Sequence, residues 1–524
     1  MAHPTHTSYD EVPYEFLAFP LSYPDRLATI ATLFGMKPQP AARCRLLELG
    51  CARGGNLIPM AINLPGSQFL GVDFSARQIA DGQAVIEKLG LKNIELRQAN
   101  IQDIDESLGL FDYIICHGVY SWVSHEVQNK ILSICSKNLK PMGVAYVSYN
   151  VYPGWHMLQM IRDMMIYHAS RFSRPADRVA QARALLDFLS QSVPSQLNTY
   201  SALLKESLET LRKQSDIYLL HEYLEEYNEP LYFYQFVERA AAAGLNFLGE
   251  SNLSEMLISR FAPEVQKTLQ KISLDIVHTE QYMDFLGRRI FRQTLLCHQN
   301  ISFTRTLKPA SLQGMLITAT CKPVSDNPNY STVGPEKFQG SIGHVTLSDP
   351  YLKTALAMLL EAVPMPLAFD DLLAAARQRV GGTEASPVSR EDDFQALGNL
   401  ILHCFTFGLV GLQLTPPAFT ATLSEKPTAY PLARLQSELT NLVINARHEI
   451  LSLNDFDRWV LRTLDGTHNQ ISIVEVLLDL MVRGALVARE SGQPVQDRDR
   501  LRAIVEKQLS MSLDHFSRHA LLVR

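Results

Sequence analysis

The feature that most constrains this chain is a glycine-punctuated turn, Glu48-Leu49-Gly50-Cys51-Ala52-Arg53-Gly54-Gly55-Asn56, set between an apolar run and a helical stretch. Arg45 to Leu49 reads as a strand, and the segment through Leu57 and Ala61 as a helix. The same alternation repeats downstream. Gln68 to Asp73, Asn93 to Ala99, Tyr113 to Cys116 and Gly143 to Tyr149 read as strands, with helices over Ala76 to Leu89 and Val127 to Leu139. Gly90 supplies the stop of the first of these helices. Strands alternating with helices predict an α/β, Rossmann-like fold: a parallel sheet covered by helices on both faces.

Such a sheet binds its ligand beyond the C-terminal ends of its strands. Gly50 lets the chain leave the strand sharply, and Gly54 and Gly55 allow close backbone approach at a helix N-terminus whose free N–H groups favour an anion. Glu48, Gly50, Cys51, Ala52, Gly54 and Asn56 are therefore candidate cofactor-binding residues. Asp73, 19 residues after Gly54, ends the second strand. A carboxylate there accepts hydrogen bonds from both hydroxyls of a ribose. Phe74 is placed to flank an adenine, and Asn100 and Ile101, after the third strand, to meet its edge. The middle glycine of a G-x-G-x-x-G pattern is replaced by Ala52, and Glu48 disfavours a pyrophosphate. Both departures point to S-adenosyl-L-methionine rather than NAD, with the methionine carboxylate at the helix end.

The fourth strand leads into His117-Gly118-Val119-Tyr120-Ser121-Trp122, and the fifth into Ser148-Tyr149-Asn150-Val151-Tyr152-Pro153-Gly154-Trp155. This order puts His117 and Gly118 beneath the cofactor, with aromatic and hydroxyl groups converging on the acceptor side. Tyr14, Tyr120, Tyr149, Asn150 and Trp155 are the candidates to orient a methyl acceptor, with Tyr9 and Tyr14 in a lid that closes over the site. No Ser-His-Asp set, HExxH or Walker loop is present, and no metal site is read. Glu225 and Glu226 read as a solvated helix face.

A chain of 524 residues exceeds one ordinary core. Residues 1–42 read as an N-terminal lid and helical segment, and 43–300 as the Rossmann-like catalytic domain with a helical insertion at about 155–215. Leu245 to Leu248 and Phe291 to Cys297 read as the sixth and seventh strands of one sheet, the seventh antiparallel. Residues 301–347, rich in Pro, Ser, Thr and Asn, read as a linker with one or two strands. Residues 348–418 (a regulatory unit) and 430–524 read as mainly helical, winged-helix-like domains. A winged helix suggests DNA, but a net charge of −6 gives no positive field to attract it. Seven cysteines without a CxxC pair suit reduced thiols. No signal segment is read in Met1 to Tyr14 and no membrane span anywhere, so a cytoplasmic location is expected.

Longer strings carry a family signature. They are Ser8-Tyr9-Asp10-Glu11-Val12-Pro13-Tyr14, Pro24-Asp25-Arg26-Leu27-Ala28, Leu33-Phe34-Gly35 and the Glu48 motif. They continue with His117 to Val123, Ser148-Tyr149-Asn150, Pro153-Gly154-Trp155, Glu280-Gln281-Tyr282-Met283-Asp284-Phe285-Leu286 and Arg292-Gln293-Thr294-Leu295-Leu296-Cys297-His298. In these the chain resembles bacterial class I methyltransferases that carry a methyltransferase regulatory domain, including the rickettsial protein lysine methyltransferases acting on outer membrane protein. The family's usual histidine before Pro24 is Tyr23 in this chain. The resemblance implies a seven-stranded class I core, winged-helix-like C-terminal parts, dimerisation, and lysine side chains of an outer membrane or surface protein as acceptor. A small-molecule acceptor and a non-catalytic, cofactor-binding regulatory role are the alternatives that the residues leave open.

Overall fold

A computed structural model describes residues 11–193, 199–380, 390–490, 493–495 and 497–523. Tyr9, half of the expected lid, lies outside them. Seven strands form the central sheet: β1 (Arg45–Leu49), β2 (Gln68–Asp73), β3 (Ile94–Gln98), β4 (Phe111–Cys116), β5 (Leu139–Asn150), β6 (Leu245–Glu250) and β7 (Phe291–His298). Their order is β3-β2-β1-β4-β5-β7-β6. The first five pair in parallel, and β7 runs antiparallel to both β5 and β6. The order reverses between β1 and β4, and that switch point is where an open α/β sheet takes its ligand. Runs such as Phe111–Cys116, buried at every position and apolar except for Asp112, whose carboxylate accepts from Arg45 N–H and Lys140 Nζ, are what a sheet covered on both faces requires. The Ala76–Leu89 helix starts with the Ser75 side chain accepting from Gln78 N–H and stops at Gly90 in the left-handed conformation.

The insertion consists of helices Gly154–Ala169, Pro175–Ser192 and Thr199–Leu211. With the next helix, Asp216–Tyr223, they bury a separate apolar cluster around Ile161, Leu186, Leu208 and Leu219. Behind the β6–β7 edge lies a buried ion cluster. Arg292 reaches Glu250 at 2.7 Å, Asp284 at 2.8 Å and Glu280 at 3.0 Å, with its guanidinium 3.7 Å above the Phe233 ring. Removing one partner from such a cluster leaves a buried charge uncompensated, which costs far more than a surface pair does. It locks Ile276–Gly287 and β7 together.

The segment expected to be a linker holds more structure than its composition suggested. Strands Leu316–Ala319, Lys322–Pro323, Glu336–Gln339 and His344–Leu347 lie in it. Leu316–Ala319 is the central strand of a small sheet with Leu367–Ala368 and Val410–Gln413, so it belongs to the helical unit that follows. Alternating polar and apolar residues in such short strands are hard to tell from loop. The last unit, Pro431 onward, sits directly on the catalytic domain. The Tyr430 hydroxyl donates to the Pro59 carbonyl at 3.1 Å and Asn63 Nδ2 to the Ala446 carbonyl at 2.9 Å. All seven cysteines are buried free thiols. Among the described residues no helix is long and apolar enough to cross a membrane.

Candidate active site

A cavity of about 560 Å³ opens at the C-terminal ends of β1, β2 and β4, a size typical of cofactor sites. Its floor is the turn after β1. The N–H groups of Gly50 and Cys51 both donate to the Val72 carbonyl, at 2.8 and 3.0 Å. Gly50 has φ +74°, and a Cβ there would meet Val119 Cγ2 at 2.4 Å, so only glycine fits. Ala52 takes a positive φ of 48° without being glycine. Its N–H donates to Asp73 Oδ2 at 2.8 Å, while Asp73 Oδ1 accepts from Ser75 N–H at 2.9 Å. The carboxylate at the end of β2 is thereby held in one orientation against the cavity.

Most of the expected cofactor residues line this space: Glu48, Gly50, Cys51, Ala52, Asn56 and Asp73 on the β1–β2 side. Phe74, Asn100, Ile101, His117 and Gly118 complete that wall. Gly54 does not line it. A Cβ on Gly54 would meet Leu96 Cδ1 at 2.9 Å, so this glycine serves the packing of the turn against β3. Gly55 faces the cavity instead, packed beneath the backbone of Leu17. Asn100 spends its side-chain carbonyl on the N–H of Gln102 at 3.0 Å, which shapes the turn at the end of β3.

Glu48 is buried, and its Oε1 accepts from Asn56 Nδ2 at 2.7 Å while Oε2 has no hydrogen-bond partner. Burial pushes its carboxyl up to about 8. His117 stacks on Phe19 at 3.6 Å between centroids and shares a 2.8 Å hydrogen bond through Nδ1 with the Tyr146 hydroxyl. Burial drives its pKa down to about 3, so it is a neutral wall at physiological pH rather than a proton carrier.

The acceptor candidates divide. Tyr14, Asn150 and Trp155 line the cavity; Tyr120 and Tyr149 do not. Both tyrosines are buried, Tyr149 stacking on Phe236 at 4.0 Å with its hydroxyl 2.9 Å from Thr294 Oγ1, and Tyr120 edge-on to Phe236 at 5.3 Å. Successive side chains of a strand point to opposite faces, so Asn150 and Tyr149 cannot both reach the same cavity.

The opposite wall comes from a helix that sequence reasoning passed over. Tyr218, His221, Glu222 and Tyr223 of Asp216–Tyr223 line the cavity. The Tyr14 hydroxyl donates to Glu222 Oε1 at 3.3 Å. Burial raises the Glu222 carboxyl to about 7. Glu225, expected on a solvated face, instead meets His221 Nδ1 at 3.2 Å. The only sequence signal for this wall is helical spacing, with His221 three and Glu222 four residues after Tyr218.

Family models agree with this geometry. Residues 41–196 match a methyltransferase domain, residues 215–298 a predicted methyltransferase regulatory domain, and residues 425–521 the PKMT C-terminal winged-helix domain. PKMT2 from Rickettsia typhi, solved in complex with AdoHcy, is 34% identical, with a TM-score of 0.87 over 98% of this chain and 100% of that one. The uncharacterised protein RP789 of Rickettsia prowazekii is 36% identical over 99% of this chain and 94% of its own length. A second protein of that organism, RP028, is 46% identical over 44% of this chain and 93% of its own. This chain belongs to the methyltransferases with a regulatory domain.

In this methyltransferase the regulatory-domain match falls on 215–298, the Glu222 helix and the last two strands of the sheet, and not on 348–418. The cofactor is S-adenosylmethionine, and the residues fit it. The buried Glu48 carboxyl with a free oxygen suits the ammonium of its methionine end, Asp73 its ribose, and the Gly50 and Gly55 cradle its close approach to backbone. When bound it supplies an electrophilic methyl group, so the protein's work is to bind, orient and exclude water.

Proposed function

We propose that this methyltransferase acts on the ε-amino group of lysine in a protein substrate. The observation that carries this reading is Glu222, a carboxylate with a raised pKa that accepts from the Tyr14 hydroxyl and lines the same cavity as Trp155, outside the residues that suit the cofactor. A lysine arrives as an ammonium and must lose its proton before it is a nucleophile. Glu222 accepts that proton, and a carboxylate poised near neutrality is suited to the transfer. With S-adenosylmethionine bound, its methyl would be the electrophile, and Tyr14, Glu222 and Trp155 would present the neutral amine to it in line. The faces of Trp155 and Trp122, edge-to-face at 6.2 Å, favour the cationic product. Ile290, on the cavity wall, is 47% exposed, which leaves an opening for a side chain carried by a larger partner. The end-to-end likeness to PKMT2 supports the same reading.

The test is transfer of labelled methyl from S-adenosylmethionine into a host lysate separated into protein and small-molecule fractions. The expected result is acid-stable label in protein, mapped by mass spectrometry to lysine and lost in Asp73→Ala. Label confined to small molecules would overturn the lysine assignment and leave the methyltransferase activity standing.

A further inference from the structure

Asn56 is the hub of a buried polar chain that ends outside the catalytic domain. Its side-chain carbonyl accepts from the backbone N–H of Phe19 at 3.0 Å and lies 2.7 Å from Nε2 of His448. Its amide nitrogen donates to Glu48 Oε1 at 2.7 Å and to Ser22 Oγ at 3.0 Å. The Phe19 N–H can face only an oxygen, so the amide orientation is settled, and His448 must donate through a protonated Nε2. His448 is buried, lies between the short strands Leu442–Ile444 and Ile450–Ser452 of the winged-helix unit, and has a positive φ of 65°. That left-handed geometry at a non-glycine residue carries a conformational cost. The ring of Tyr23 flanks it at 5.3 Å. Glu48 and Asn56 both line the cavity, whereas His448 does not touch it.

We infer that His448 is a positioning residue for the cofactor: the winged-helix unit, through the His448–Asn56–Glu48 chain, sets the carboxyl that faces the methionine end. The inference rests on the cofactor assignment and is independent of the acceptor. Asn56 has two donors to satisfy with one carbonyl and two acceptors to meet with one amide nitrogen. Losing His448 leaves the Asn56 carbonyl one donor instead of two and loosens the amide that donates to Glu48. Linkage makes the effect mutual, so a bound cofactor also tightens the hold on the winged-helix unit.

The experiment is calorimetric titration of the full-length protein with AdoHcy, with thermal unfolding run beside it. His448→Asn tolerates the left-handed backbone but is too short to reach Asn56. It is expected to weaken binding about 3- to 10-fold, the worth of one buried hydrogen bond. His448→Gln, whose amide reaches where Nε2 sits, is expected to restore affinity to within about twofold on the same scale. Tyr430→Phe removes a different hydrogen bond across the same interface and is expected to leave affinity unchanged. Wild-type affinity in His448→Asn, an equal loss in Tyr430→Phe, or no recovery in His448→Gln would each overturn the inference, because the contact would then be packing alone.

Discussion

The two ends of the cavity are built differently. The cofactor end is made of strand termini and their turns, with each carboxylate held by hydrogen bonds: Asp73 accepts from the backbone N–H groups of Ala52 and Ser75, and Glu48 from the Asn56 side-chain amide. The acceptor end is made of side chains drawn from four distant segments, Tyr14, Trp155, Glu222 and Ile290. A turn whose glycine admits no Cβ cannot drift without losing the site, whereas helix side chains can be exchanged while the scaffold stays. In the proposed reading the first end therefore answers for binding and the second for chemistry and choice of acceptor.

That division is open to breaking. Asp73→Ala removes the carboxylate proposed to accept two charge-assisted bonds from the ribose, each worth about 1.5–3 kcal/mol, and is expected to lower AdoHcy affinity about 1000-fold by calorimetry. Asp73→Asn, which keeps one acceptor, should lose less. Glu222→Gln should do the opposite. The loss expected is about 100-fold in kcat, the low end for a general base, with AdoHcy affinity unchanged. Its pH profile is the finer test. Wild-type rates should rise as the Glu222 carboxyl ionises near 7, and that limb should vanish in the glutamine variant. Equal effects of both substitutions on AdoHcy binding would erase the distinction between the two ends.

The same contrast explains what the sequence reveals. Residues that act together within one β-α unit are visible because a turn, a carboxylate and their spacing fall in register, as Gly50, Ala52 and Asp73 do. The seven strands and the antiparallel β7 are legible for the same reason, since alternation of apolar runs and helices leaves few topologies, whereas the strand order comes from the structure. Gly54 is misassigned because adjacent glycines in one motif serve different ends, one packing and one approach. Glu222 is invisible because nothing local distinguishes a helix carboxylate facing a cavity from one facing water. His448 is 392 residues from Asn56, and no pattern in the sequence joins them.

A smaller effect sharpens the comparison by pH. The Glu48 carboxyl is raised by burial from 4.5 to about 8 in the folded protein. A group whose folded pKa lies above its unfolded one stabilises the fold fully below the unfolded value, and loses that contribution as pH rises through the folded value. The cofactor-free protein should therefore melt at falling temperature between these limits, and Glu48→Gln should flatten that slope. The two proteins should converge at the acid end and separate by a few degrees above pH 8, with the variant the more stable. An ammonium placed beside the carboxyl favours its charged form, so AdoHcy should bind wild type more tightly as pH rises toward 8, and Glu48→Gln should lack that rise.

The smallest effects belong to the tyrosines behind the sheet. Tyr149 meets Thr294 through its hydroxyl and Phe236 through its ring, and Tyr120 packs against the same phenylalanine. Neither reaches the cavity. Tyr149→Phe gives up one buried hydrogen bond and should cost about 1 kcal/mol of stability by denaturant titration. Its kcat and KM should stay within about threefold of wild type, since that energy is not spent on the transition state. Tyr120→Phe should fall within the same limits. Tyr14→Phe is the matched comparison, because its hydroxyl donates to Glu222. Losing that donor should slow turnover several-fold at unchanged stability. A large kcat loss in Tyr149→Phe, with the fold intact, would mean that the acceptor reaches through to the far side of β5, and the boundary between core and site would have to be redrawn there.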